Sequence, residues 1–380
     1  MQTINRSWTS NKGWSNSFPQ EYLDRAQLVF VFGSRKSILE QNIFSYLRQS
    51  FPKAVLVGCS TSGEILNDGQ VLDDSLVITA AIFDYSRLEC SSLLSSDYAN
   101  SYDLGKDLVQ KIPADDLAHV FVLSDGVTVN GSQLVDAITE SLPEGVGLTG
   151  GLAGDGTDFS ETLVCSNDEF GKGKVAILGF YGNRLKVGYG SLGGFVPFGP
   201  ERRVTKSEGN VLYELDGQSA LDLYKKYLGP EKSENLAYNQ FLFPLSYKSE
   251  DMKQEVVRTI LNVNEKEKTM TFAGDIPKGS LARLMKTNHF RLVDGAHSAA
   301  ETALDVFPEP PSLAILISCV GRKIIMKNRT DEEIEAVREV LGEKTVYTGF
   351  YSYGEIAHFQ QFASCEFHNQ TMTITTFSET

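Results

Sequence analysis

Short uninterrupted apolar runs punctuate this chain, among them Leu28 to Phe32, Ala54 to Val57, Val120 to Leu123 and Leu313 to Ile317. Each is closed by glycine, serine or aspartate, the pattern of strands buried on both faces. Between the runs, apolar positions recur at helical spacing. Ile38, Ile43, Tyr46 and Leu47 predict a helix over about 38–49 with Ser37 as its cap. Further helices are predicted for Leu104 to Lys111, Ser132 to Ser141, a long one over Leu281 to Leu304, and one opening at Thr330. Another runs from Ala220 to Leu228 and stops at Gly229-Pro230. The segments Ser75 to Ile82, Thr162 to Cys165, Val175 to Phe180, Leu185 to Ser191 and Gln370 to Phe377 read as strands. Val204 to Asp216 reads as two strands, and Val256 to Phe272 as a hairpin.

Two strand ends carry the same octet. Gly58-Cys59-Ser60-Thr61-Ser62-Gly63-Glu64-Ile65 and Gly349-Phe350-Tyr351-Ser352-Tyr353-Gly354-Glu355-Ile356 share a glycine, a hydroxyl residue three positions on, and a closing Gly-Glu-Ile. Strand, turn, helix and strand precede each, and a β-rich run follows, so the chain contains a duplicated β-α-β-β unit. The glycine-dense stretch 145–156 stands after strand, turn and helix too, where it predicts the loop of a third, diverged copy. Its many glycines argue against ordinary strand there. The expected fold is α/β, with repeated β-α-β-β units forming mixed sheets flanked by helices. Residues 1–26 read as an aromatic-bearing arm, 27–216 as one domain and 217–380 as a second.

The chain has 380 residues, enough for two cores, and a formal net charge of -14. That charge argues against nucleic acid or an anionic membrane as partner, since phosphate contacts need clustered cations. The basic group Arg322, Lys323, Lys327 and Arg329 reads as a solvated turn. Five cysteines without a C-x-x-C spacing indicate neither a disulfide framework nor a thiolate zinc site. The N-terminus lacks the apolar core of a signal peptide, and no run approaches the ~20 apolar residues that span a bilayer, so no membrane insertion is expected and the cytoplasm is the expected location. A homodimer is left open.

Loops at the carboxyl ends of strands bind ligands in open α/β sheets. Candidate ligand-binding residues are therefore Gly58, Cys59, Ser60, Thr61, Ser62, Gly63 and Glu64, then Gly150, Gly151, Gly154 and Asp155, and finally Tyr351, Ser352, Tyr353, Gly354 and Glu355. The competing account gives the glycines to turns and has Glu64 and Glu355 cap backbone N–H groups. No P-loop or clean dinucleotide fingerprint is present. Cys59, Ser60, Ser62, Ser318 and Cys319 are potential nucleophiles, yet no histidine adjoins them and no serine sits in a Gly-x-Ser-x-Gly elbow. His119 and His368 read as structural. His289 and His297 lie eight residues apart on one helix, roughly 80° around its axis, which suits no paired metal site.

The segments Gly-Cys-Ser-Thr-Ser-Gly-Glu-Ile, His119-Val-Phe-Val-Leu-Ser-Asp-Gly, Gly150-Gly-Leu-Ala-Gly-Asp, Ala282-Arg-Leu-Met, Gly349-Phe-Tyr-Ser-Tyr-Gly-Glu-Ile and His368-Asn-Gln-Thr-Met-Thr-Ile-Thr-Thr resemble those of the FIST family. The similarity runs from about Gln27 to Thr376. It implies a FIST N and a FIST C domain, a sensory role in bacterial signal transduction, and no established catalytic residue. A chain of this organisation also resembles haem-containing nitric-oxide sensors that act on a partner histidine kinase. With no kinase or other output segment in the sequence, it is expected to act through another protein, a histidine kinase or other signalling partner in a two-component system. Haem is the cofactor so implied, with His289, His297 or His358 as its axial ligand. The alternative is a cofactor-free binding module for an amino acid or other small anionic metabolite, and the third reading a hydrolase or transferase.

Overall fold

The computed structural model describes residues 1–250, 252, 254–359 and 365–380. Three copies of one unit organise it. In each, a buried first strand lies between a parallel second strand and an antiparallel closing strand. These are Leu28–Gly33, Val55–Ser60 and Ser75–Ile82 in the first unit. They are Leu117–Ser124, Gly147–Leu152 and Lys174–Tyr181 in the second, and Leu313–Cys319, Val346–Ser352 and Met372–Glu379 in the third. An edge strand precedes each copy and pairs with its closing strand: Gln2–Thr9, Arg87–Leu94 and Leu185–Leu192. The expected N-terminal arm thus holds the strand Gln2–Thr9 and a short helix, Gln20–Arg25, with Trp14 stacked on Tyr46.

None of the three sheets is complete within its own unit. After its second strand, each copy sends a short crossing strand to a neighbour. Glu64–Ile65 pairs with Val346–Ser352 of the third unit, Gly354–His358 with Gly147–Leu152 of the second, and Val164–Ser166 with Val55–Ser60 of the first. The exchange closes into a ring. Two residues past the point where each crossing strand meets its host glycine, a side chain accepts the host's backbone amide. Asn67 Oδ1 takes the Tyr347 N–H at 2.8 Å, Asn167 Oδ1 the Leu56 N–H at 3.0 Å, and His358 Nε2 the Leu148 N–H at 3.1 Å.

The inner faces of all three sheets share one core, built from Phe30, Phe32, Phe121, Phe180, Ile315, Phe350 and Phe377 among others. This explains the uninterrupted apolar runs, since helices cover the outer faces. Gly58, Gly150 and Gly349 occupy one equivalent register position, opposite Val31, Val122 and Leu316. A Cβ at any of them would collide with that partner's carbonyl oxygen. The second unit's glycines therefore form a buried strand, Gly147–Leu152, where the sequence predicted a loop.

Between the third unit's edge strand and its helix His289–Leu304, residues 196–286 form a lobe around a nine-stranded sheet with its own core. The division read near 217 falls inside this lobe, whose sheet includes both Val211–Leu215 and Gln218–Ser219. The helix predicted for Leu281 to Leu304 begins only at His289, capped by Asn288, whose side chain accepts the Arg291 amide; Leu281–Lys286 is a strand of the lobe. The helix predicted from 38 is two, Arg35–Glu40 and Ile43–Ser50, joined through Asn42 at φ 45°, and its cap is Ser34.

Candidate functional site

Where the second strands end, the three corners meet. The Ser62 N–H donates to the Tyr351 carbonyl and the Tyr351 N–H to the Gly63 carbonyl, both at 2.8 Å, and the Gly154 N–H donates to the Ser60 carbonyl at 2.9 Å. Gly154 lies so close to Ser62 that a Cβ there would strike its hydroxyl, so this contact requires glycine. Ser62 Oγ donates to the Gly156 carbonyl at 2.9 Å, joining the first corner to the second.

Beside this junction opens a cleft of about 440 Å³, lined by Thr61, Ser62, Gly63 and Glu64 of the first corner and by Asp155, Gly156 and Asp158 of the second. Ser34, Arg35, Lys36, Asp73 and Asp74 complete it. Charge of both signs faces the space. Arg35 is paired with Glu161 at 3.1 Å, whereas Lys36, Asp74 and Asp158 are exposed and make no ion pair with any described residue. Lys323 closes one side. Its Nζ donates to the Ser62 carbonyl at 2.7 Å, pairs with Asp73, and lies 5.6 Å from the centre of the Tyr351 ring.

The sequence did not point to the charged members of this cleft. Ser34-Arg35-Lys36 does follow the first strand directly, at its carboxyl end where ligands collect, and that placement was the available signal. Lys323 comes from the third unit, so only the fold brings it here. Its neighbour Arg322 is no solvated turn residue. The side chain is wholly buried, paired with Glu333 at 2.6 Å and donating to the Gly193 and Leu292 carbonyls.

The two octet glutamates have equivalent surroundings. Glu64 accepts from the Thr61 hydroxyl, the Ser75 amide and the Ser75 hydroxyl; Glu355 accepts from the Ser352 hydroxyl, the Thr371 amide and the Thr371 hydroxyl. Burial pushes both carboxyls up to about 7, against the downward pull of these bonds. They cap the chain where it crosses, as the competing account of the octets has it. Asp155 ties its own loop: burial raises its carboxyl, but the Tyr353 hydroxyl and the Ser160 and Glu161 amides outweigh this and hold it below the usual range.

The remaining candidates are not brought to this cleft. Gly58, Cys59, Ser60, Gly150 and Gly151 are strand residues inside the protein. Ser352, Gly354 and Glu355 are buried, and Tyr351 spends its hydroxyl on Glu333 at 2.5 Å. Tyr353 lines a separate cavity of about 250 Å³ with Val127, Leu152 and Phe272, its ring stacked on Phe159 at 4.4 Å. Burial raises the Cys59 and Cys319 thiols, Ser60 Oγ accepts the Leu163 amide, and Ser318 Oγ donates to Glu333. Among the described residues none of these is seen hydrogen-bonded to a histidine, the arrangement that nucleophilic attack needs.

An axial haem ligand needs an imidazole nitrogen directed into an apolar cavity. His289 Nε2 is held by Glu332 at 2.7 Å, and His297 lies 41% exposed beside Glu301. His358 Nε2 accepts the Leu148 amide. In this arrangement the three residues do not fit the group. Among the described residues no cluster of three or more His, Cys, Asp or Glu could hold a metal ion, and no helix is long and apolar enough to cross a membrane.

The FIST N domain family matches residues 27–218 and the FIST C domain family residues 220–358. The chain belongs to the FIST family. FIST domains are sensory, ligand-binding modules of signalling proteins. It is 28% identical over 340 residues to an uncharacterised protein of Methanocaldococcus jannaschii, a match covering 82% of this chain and 63% of that relative's length. A solved cyanuric acid hydrolase aligns over 100% of the FIST chain and 99% of its own at 9% identity, with a TM-score of 0.31.

Proposed function

We propose that the protein senses a small zwitterionic metabolite of the amino-acid class, held without a cofactor in the cleft beside Ser62, and reports its occupancy to a partner signalling protein such as a histidine kinase. The observation that carries this reading is the charge around the cleft, lined by Lys36, Asp74 and Asp158, with none of the three ion-paired among the described residues. A zwitterion answers both signs at once, where a simple anion would meet the aspartates. The Ser62 carbonyl that holds Lys323 belongs to the same corner whose amide binds Tyr351. Tyr351 leads through Glu333 to the buried Arg322. A ligand that redirects Lys323 therefore acts on a hydrogen-bonded chain that ends at the Gly193 and Leu292 carbonyls.

The test is thermal denaturation of the intact protein with each common amino acid at millimolar concentration. A binder raises the melting temperature by an amount that grows with RT ln(1 + [L]/Kd). Lys36→Ala and Asp74→Asn are each expected to weaken that binder roughly threefold to tenfold, about 1 kcal/mol, while leaving the unliganded melting temperature unchanged. No stabilisation by any of them, together with a Soret band after haem is added, returns the question to a haem-based nitric-oxide sensor.

A further inference from the structure

The three units can be compared position by position, and the second departs from its sisters at one end of its sheet. Leu28 faces Val55 across the first and second strands of the first unit, and Leu313 faces Val346 in the third. Both pairs pack into the shared core. The equivalent pair in the second unit is His119 and Gly147. An imidazole thus replaces a leucine and a bare backbone replaces a valine, in a ring of otherwise apolar side chains. His119 is 1% exposed, near Phe180 and Phe377, with Nε2 bonded to the Thr149 hydroxyl at 2.9 Å. A third departure adjoins these two. The crossing-strand acceptor that is asparagine at Asn67 and Asn167 is His358 here.

The substitutions coincide with a cavity. A space of about 500 Å³ is lined by His119, Gly147, His358 and Tyr189, with Val146, Leu185 and Val187 as apolar wall and Glu144 at the rim. The ring centre of Tyr189 is 6.1 Å from that of His119 and 4.7 Å from that of His358, with near-parallel planes in both pairs. A Cβ on Gly147 would lie 2.8 Å from His119 Nδ1. The missing side chain therefore leaves room for the His119 and Tyr189 rings at the cavity wall. The sister units place leucine and valine here, whereas in the second unit the imidazole meets the buried Thr149 hydroxyl and its Nδ1 side lies toward Gly147.

We propose that this cavity is a second binding site, distinct from the cleft beside Ser62, and that it takes a neutral planar heteroaromatic ring of the purine or pteridine class. The rings of His119, Tyr189 and His358 already stack on one another along one wall, and a planar ring would extend that stack. His119 supplies one directional hydrogen-bonding nitrogen. Burial and the nearby His358 hold its imidazole uncharged, with the pKa brought down to about 3. His119 therefore offers no positive charge to an anionic ligand, and Glu144 at the rim disfavours one further.

Adenine is a suitable probe, with benzoate as an anionic aromatic control. In protein labelled at histidine with carbon-13, adenine at millimolar concentration should shift the ring resonances of His119 and His358 and leave those of His289 and His297 in place. The paired substitution His119→Leu with Gly147→Val, which installs the sister units' own residues, should abolish the shifts and raise the melting temperature by roughly 2–6 °C. His358→Asn, which installs the sister acceptor, should weaken the adenine response severalfold. Absence of any adenine-dependent shift overturns the proposal, as does a benzoate response equal to or larger than that to adenine. A paired variant that melts below the parent shows the His–Gly pair to be structural and overturns it too. None of these outcomes depends on whether an amino acid occupies the cleft beside Ser62.

Discussion

Glu64 and Glu355 hold the same position in two copies of the unit, each buried and each ringed by a hydroxyl residue three positions back and an amide–hydroxyl pair from the closing strand. Their carboxyls titrate near 7, above the ordinary value of 4.5. Between about pH 4.5 and 7 the folded protein therefore binds more protons than the unfolded chain, and the stability these groups contribute is lost as the pH rises through that window. Glu64→Gln and Glu355→Gln keep the shape and remove the titration. Urea unfolding at about pH 5 and about pH 8 should show the parent losing up to roughly 3 kcal/mol more per carboxyl than the double variant. An equal loss in both would refute the assignment. The recurrence of these octets was legible in the sequence because four identities and one hydroxyl match survive at fixed spacing. The burial of Arg322 was not, since its partner Glu333 comes from the next helix and the carbonyls it reaches belong to residues 193 and 292.

At the level of elements, the legible parts were those whose apolar pattern reflects burial on both faces. The first strands of all three units show as plain runs. Two elements misled for physical reasons. Gly147–Leu152 contains glycines because Gly150 must pass the Val122 carbonyl and Gly147 leaves room for His119, not because the chain loops there. Leu281–Lys286 borrows helical periodicity from the helix that follows, and only the Asn288 cap separates the two. The crossing strands were invisible as pairings, because each finds its partner in another unit. Their shared acceptor does yield a prediction. His358→Asn should hold the Leu148 amide as Asn67 and Asn167 hold theirs and stay within about 0.5 kcal/mol of the parent. His358→Ala leaves that buried amide unpaired and should cost roughly 1–3 kcal/mol in chemical denaturation. If both variants were equally destabilised, the equivalence of the three acceptors would fail.

For the whole molecule, the boundary between the FIST N and FIST C matches, residues 218 and 220, does not separate two self-sufficient bodies. The third unit's sheet takes Leu185–Leu192, Glu64–Ile65 and Val71–Leu72 from before that point, and the second unit's sheet takes Gly354–His358 and Cys365–His368 from after it. Fragments 1–218 and 219–380 are expected to be aggregated or unfolded when produced separately, and to give one folded complex when produced together. Circular dichroism and size-exclusion chromatography distinguish these outcomes, and an independently folded, monodisperse 1–218 would count against the ring of exchanged strands. The sequence showed that there were repeats and roughly where. It could not show that they are interlocked, because pairing between units leaves no local pattern.

The interlock also sets an order on folding. The first unit waits for Val164–Ser166 to complete its sheet, and the second waits for Gly354–His358, which is made long after that unit's own strands. Until then the nascent chain carries open sheet edges beside a half-filled apolar interior, the condition in which partly made chains stick to one another. A chain interlocked in this way is expected to lean on chaperones during synthesis more than its finished form would suggest.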